Sequence, residues 1–263
     1  MTFQLEACRL QLAARRVIRF PPGMAGNVLR GALGSVLREV ACAEDYASLF
    51  EPTAEAGPSG LSDRPRPFVI RAAALNGRSI EPGERFCFEL HLFNSSLDHF
   101  TRAFATWAEL ISVEHSPVAV DFSPRTDPVS RIHVEFQTPT DLKGAEAPDN
   151  FSVLLARARD RVSTLRSLYG AGPLEVDFRG LAERARSVKT VRSELRRVTV
   201  ERRSSRTGQR HSIGGFVGFA EYEGNLTEFL PYFEAAHWTG VGRHCTWGNG
   251  QILTTILDSD FLA

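Results

Sequence analysis

Lysine is nearly absent from this chain. Lys143 and Lys189 stand against 29 arginines in 263 residues. Neither lysine lies in a Gly-Lys-Ser/Thr sequence, which excludes a P-loop. Cysteine is sparse too. Cys8, Cys42, Cys87 and Cys245 include no Cys-x-x-Cys pair, so neither a zinc site nor a disulfide framework is indicated. Cys8 and Cys87 fall in strand-like segments and read as small packed hydrophobes. No apolar run reaches the ~18 residues of a membrane span. The opening MTFQLEACRL lacks the basic-then-apolar order of a signal peptide. A cytoplasmic location, with no membrane partner, is therefore expected. No spaced set of carboxylates and histidines suggests a metal, and no cofactor is expected.

Net charge is also missing, since 31 basic and 31 acidic residues cancel. The distribution is uneven. Residues 157–210 hold 14 arginines and one lysine against six acidic residues, a net of +9, which leaves −9 for the remainder. Such segregation is the expected footprint of an anion-binding face on an acidic body. A solvated helix face in an arginine-rich chain is the blander reading.

Hydrophobic content of 43% and charged content of 24% describe an ordinary folded protein of one large or two small domains. Alternation predicts a strand over Thr2–Leu12, and Pro21-Pro22-Gly23 breaks it. Helical spacing predicts a helix over Asn27–Val40, and residues 51–67 read as a loop. Strands are predicted over Phe68–Ala73 and Arg85–Phe93, a helix over Leu97–Ile111 and a strand over Val118–Phe122. Residues 123–130 read as a linker. The same order then returns: strand Arg131–Gln137, helix Asn150–Tyr169, strand Val191–Arg203, its hairpin partner His211–Tyr222, helix Leu226–Ala236 and strand Gln251–Leu257. Two βαββαβ units predict an α+β fold of two tandem ferredoxin-like domains, residues 1–126 and 127–263.

Residues 240–250 read Gly-Val-Gly-Arg-His-Cys-Thr-Trp-Gly-Asn-Gly. Two Gly-x-Gly pairs, Gly240/Gly242 and Gly248/Gly250, enclose Arg243, His244 and Trp247. Glycine lets a ligand or another backbone approach closely, Arg grips phosphate, and Trp offers a stacking face. The dinucleotide fingerprint is excluded, because Cys245 holds its third glycine position and the loop follows a helix. A polyanion with bases fits the loop; a plain tight turn is the alternative.

Four stretches in the last half carry a resemblance. They are Phe136-Gln-Thr-Pro-Thr-Asp-Leu-Lys143, Ser204–His211 with Gly214-Gly215-Phe216 and Gly218, Tyr222-Glu-Gly224 at the opening of the next helix, and Thr239–Gly250. In the first half, Leu29–Arg38, Leu49–Pro52 and Arg66–Ile70 add to it. Together they resemble the CRISPR-associated endoribonucleases of the RAMP superfamily that process precursor CRISPR RNA. The resemblance implies two facing ferredoxin-like domains and metal-free cleavage of repeat RNA. In that chemistry the ribose 2′-hydroxyl attacks the adjacent phosphate, leaving a cyclic phosphate and a 5′-hydroxyl. It also implies CRISPR repeat RNA as partner, with other effector-complex subunits as further candidates.

Internal attack needs a base, an acid and cations beside the charged phosphorane. The family often sets a catalytic His, with a Tyr or Lys helper, in or just after the first helix. Here residues 27–42 hold none of the three; Arg30 and Arg38 lie on that helix and Tyr46 follows it. His91, His133, His99 and His115 read as structural, on or beside strands and a helix. His237 ends a helix, where a cation favours the dipole. The catalytic candidates are therefore His211, then His244, with Tyr46. The RNA-binding candidates are Arg30, Arg38, Arg203, Arg206, Arg210 and Arg243, with Trp247 and the glycines 240, 242, 248 and 250. A catalytically inactive RNA-binding subunit of an effector complex is the competing reading, ahead of a purely protein-binding scaffold.

Overall fold

The computed structural model of the chain describes residues 1–52, 64–142, 147–203 and 210–257, without the side chains of 201–203 and 210–212. Arg206, and the side chains of Arg203, Arg210 and His211, lie outside the described residues. In the first half the elements are β1 (Thr2–Ala13), β2 (Ile18–Arg19), α1 (Ala25–Val40), α2 (Ala43–Phe50), β3 (Phe68–Arg71), β4 (Ser79–Ile80), β5 (Arg85–Leu92), α3 (Leu97–Trp107) and β6 (Glu109–Asp121). In the second half they are β7 (Arg131–Thr140), α4 (Phe151–Tyr169), α5 (Phe178–Ala185), β8 (Lys189–Val198), β9 (Glu201–Arg203), β10 (Arg210–Ser212), β11 (Gly215–Glu223), α6 (Leu230–Thr239) and β12 (Ile252–Ile256).

The two main sheets run β3-β5-β1-β6 and β12-β7-β11-β8, all antiparallel. Each places its first and third long strands at the centre, which is the ferredoxin-like order, so the fold is two such units in tandem. Alternation along β1 decides what each face of the first sheet meets. Cys8, Leu10 and Leu12 turn towards Leu29, Leu33 and Leu37 of α1 and Phe100 and Phe104 of α3. Phe3 and Leu5 turn the other way, with Val69, Phe93 and Val120, into one core with Leu154, Leu155 and Val162 of α4 and Phe233 and Ala236 of α6. That core continues into Ile132, Val134 and Phe136 of β7. The helices of the second half are thus sandwiched between the two sheets, and the halves share continuous apolar packing.

Several boundaries differ from expectation. The helix expected to reach Ile111 stops at Trp107, because Ala108 is already extended. Ile111 belongs to β6, which starts nine residues ahead of the expected Val118 and pairs with the whole of β1. His115, expected beside a helix, lies within β6. The strand expected over Val191–Arg203 breaks after Val198, and β9 pairs only with β10. Tyr222 does not open a helix. It is fully buried near the end of β11, and a 3-10 turn at Thr227–Phe229 leads into α6, with Pro231 in its first turn. Helices α2 and α5, each of eight residues, have no counterpart in the predicted order.

Candidate RNA-binding and catalytic site

The Thr-Pro segment at the end of β7 is the anchor of the glycine loop. Gly250 N–H donates to the Pro139 carbonyl at 3.1 Å, Gln251 N–H to the Thr138 hydroxyl at 2.9 Å, and Arg243 N–H to the Asp141 carbonyl at 2.9 Å. Val241 N–H closes the loop on the Gly250 carbonyl at 2.9 Å. Gly250 has φ +69°, and a Cβ there would lie 2.0 Å from the Val241 carbonyl oxygen, so only glycine closes this turn. His244 takes the left-handed conformation without being glycine, at φ +62°. Such a position is uncommon and draws notice as a functional candidate.

The far side of the loop rests on the first half of the chain. A Cβ at Gly26, in the first turn of α1, would stand 2.3 Å from the Trp247 carbonyl oxygen. This contact brings the loop against α1 and α2, where a ladder of rings and guanidinium groups forms. His244 and Trp247 stack with centroids 4.6 Å apart and planes 4° from parallel. The Arg30 guanidinium lies 5.5 Å from the Trp247 ring and 5.2 Å from the Phe50 ring. Phe50 stacks on Tyr46 at 5.4 Å. Arg38 lies 5.1 Å from the Tyr46 ring and donates to its hydroxyl at 2.7 Å. Of the residues singled out from sequence, Arg30, Arg38, Tyr46, His244 and Trp247 therefore come together.

Arg243 stands apart from the ladder. It is exposed, forms a 3.5 Å ion pair with Asp141, and with Arg197 borders a cavity of about 300 Å³ walled by Gly214, Gly215 and Phe216. The cavity lies between the glycine loop and β11. Gly240, Gly242 and Gly248 shape the loop backbone with φ of +74°, +80° and +85°.

The basic segment 157–210 is not a free cationic face throughout. Arg159 is buried and bonded to Asp160, while Arg184 pairs with Glu228, Arg179 with Glu183 and Arg192 with Glu194. Arg166 donates to the Thr2, Gly172 and Pro173 carbonyls. Several of these arginines are thus already engaged by partners within the protein. His237 also departs from expectation. Burial, and then the nearby Arg71 cation, hold it below the ordinary histidine pKa, which disfavours a charged imidazole at the end of α6. His91 is buried and structural, as the sequence suggested.

Residues 134–252 match the family model of the CRISPR-associated endoribonuclease Cas6. The match makes the second half of the chain similar to the Cas6 endoribonucleases. The match runs from β7 into β12 and so takes in the anchor strand, the hairpin and the glycine loop. Residues 3–119 match a separate model of an N-terminal domain. No curated protein matches the chain. Among solved structures, the Thermus thermophilus Cas6 (TTHB231) product complex superposes with a TM-score of 0.63 at 16% identity, covering 95% of this chain and 99% of that one. The Cas6 (TTHA0078) product complex gives 0.56 at 18%, covering 96% and 100%. A partial Cas6-RT-Cas1–Cas2 complex gives 0.61 at 11%, covering 97% of this chain and 46% of that one. These likenesses establish a shared Cas6 fold over nearly the whole chain.

Sequence reasoning missed Phe50, which fills the ladder between Tyr46 and Arg30, and Gly26, which admits the loop. The sequence signal for Gly26 was a glycine in the first turn of an amphipathic helix, next to the expected start at Asn27. Phe50 falls in the Leu49–Pro52 stretch that carries the resemblance, but its place in the ladder was not legible, because α2 was not foreseen. No helix among the described residues is long and apolar enough to cross a membrane.

Proposed function

We propose that this protein binds CRISPR repeat RNA and cleaves precursor CRISPR RNA within it, without a metal ion. The observation that carries this reading is the ladder of Arg38, Tyr46, Phe50, Arg30, Trp247 and His244, assembled from both halves around the Cas6 loop. Arg30 and Arg38 supply positive charge for a phosphate and the developing phosphorane. Trp247 offers a face on which a base can stack. Tyr46 accepts from Arg38 and so keeps its own phenolic proton to donate.

In the proposed step the 2′-oxygen bonds to phosphorus as the bond from phosphorus to the 5′-oxygen breaks. The proton of the 2′-hydroxyl passes to a base, and an acid protonates the departing 5′-oxygen. The products are a 2′,3′-cyclic phosphate and a 5′-hydroxyl. His211 and His244 are the proposed base and acid candidates with Tyr46, since imidazole exchanges protons near neutral pH. The hairpin arginines Arg203, Arg206 and Arg210, with Arg243, are proposed to track the RNA backbone.

One observation favours a second reading, an RNA-binding subunit that does not cut: α1 contains no His, Tyr or Lys. The H211A/H244A double variant separates the two. Under the main reading it loses repeat cleavage by about 100-fold or more while still binding the RNA. Unchanged cleavage would remove both histidines from the chemistry. Tight, uncut binding by the unaltered protein would select the second reading.

A further inference from the structure

Helix α6 delivers the chain into the glycine loop, and its end is held in an unusual way. The last four carbonyls of any helix lack partners within it. In α6 these belong to Ala236, His237, Trp238 and Thr239, and all four are satisfied. Gly240 N–H donates to the Ala236 carbonyl at 2.8 Å. Arg71 at the end of β3 donates from Nη2 to the His237 carbonyl at 2.8 Å. His91 of β5 donates from Nδ1 to the Trp238 carbonyl at 2.8 Å. Arg161 of α4 donates from Nε to the Thr239 carbonyl at 2.8 Å. Three side chains from three elements thus clamp three consecutive carbonyls immediately before Gly240. Two of the donors are cations at the negative end of the helix dipole.

The clamp is costly to bury, which argues that it has a use. Arg71 is 5% exposed, its Nε and Nη1 have no hydrogen-bond partner, and burial pushes its pKa down to about 10. His91 is 1% exposed, with the Trp238 ring edge-on at 5.0 Å. Beyond the clamp, the loop passes through two positive-φ glycines, Gly240 and Gly242, and reaches Trp247 against Gly26. Any tilt of the end of α6 would be carried into the Trp247 and His244 stack.

We propose that Arg71, His91 and Arg161 are positioning residues that fix the end of α6 and so hold the glycine loop in register with Arg30 on α1. The inference deepens the proposed RNA cleavage and rests on it for its functional consequence. It assigns no contact with RNA to the three residues.

The test combines amide hydrogen exchange over residues 240–250 with single-turnover cleavage of a labelled CRISPR repeat RNA, using H91L, H91N and R161M in the full chain. Asparagine places its amide nitrogen near the position of Nδ1, so H91N retains the donor that H91L removes. H91L and R161M are expected to speed exchange of the loop by at least ~10-fold while β1 and β7 stay protected. They should lower the cleavage rate by ~10–100-fold with RNA affinity within about threefold, and H91N should restore both readouts. Unchanged loop exchange in H91L and R161M would overturn the proposal, as would H91N behaving like H91L. If the unaltered protein leaves the RNA intact, the cleavage reading fails, and loop exchange still decides whether the clamp positions the loop.

Discussion

Tyr46 and Trp247 sit in the same ladder but are suited to different work. The Tyr46 hydroxyl is held by Arg38, whereas Trp247 presents a half-buried ring beside Arg30 and His244. Tyr46→Phe keeps the stack on Phe50 and removes only the oxygen. Its single-turnover cleavage is expected to fall by about 100-fold or more with RNA affinity little changed. Trp247→Ala removes a stacking face and is expected to weaken RNA binding by ~1–3 kcal/mol. Equal losses of rate and affinity in both variants would show that the ladder does not divide its roles this way.

At the scale of elements, α1 and the glycine loop depend on one missing side chain. Alanine normally improves a helix over glycine by about 1 kcal/mol. At Gly26 the added Cβ would meet the Trp247 carbonyl oxygen at 2.3 Å, a backbone atom that cannot step aside. Against a backbone atom the upper end of the ~1–3 kcal/mol cost of overpacking applies. Less the alanine gain, Gly26→Ala should lower the melting temperature by roughly 4–8 °C. An unchanged or raised melting temperature would mean that the loop does not rest on α1.

The junction of β5 with α6 also makes stability depend on pH. Burial, reinforced by the Arg71 cation and opposed by the Glu89 carboxylate 3.6 Å from Nε2, holds His91 below its ordinary pKa. His237 is lowered by the same burial and the same Arg71. The unfolded chain then binds more protons than the folded one as pH drops through about 6.5, so acid favours unfolding. Glu89 is held below the ordinary carboxylate value, chiefly by the His91 imidazole 3.6 Å away and despite its own burial; Arg9 lowers it further. Its contribution is present above that ordinary value and is lost as pH falls through the lowered one, in the same direction. The urea midpoint should fall between pH 7.5 and pH 5.5, and H91N should fall less. Equal falls would exclude His91 as a source.

The long elements were legible because one rule decided each. Alternation marked β1 and β5, helical spacing marked α1 and α4, and Asn150 caps α4, accepting from Val153 N–H. Boundaries went astray where tertiary pairing overrode local pattern. Ile111 continues the Phe100, Phe104 and Trp107 stripe of α3, yet β1 offers residues 109–121 a complete partner strand. Helices of eight residues such as α2 carry too few turns for periodicity to show.

For the whole molecule, the site exists only where the two halves meet. The loop motif marked its family from sequence, and arginines on a distant helix could be listed beside it. Their stacking could not be read, because it depends on Gly26, Phe50 and the docking of α6 against the first sheet. The surplus charge of residues 157–210 could not be apportioned for a related reason. A count of arginines does not show which ones already have carboxylate or carbonyl partners, as Arg159, Arg166 and Arg184 do.

The central claim is that this ladder serves metal-independent cutting of repeat RNA. It is tested most directly by incubating the protein with 5′-labelled CRISPR repeat RNA in EDTA and analysing the product ends. A single cut leaving a 2′,3′-cyclic phosphate and a 5′-hydroxyl is the expected result. RNA that is bound but remains whole in EDTA would contradict it.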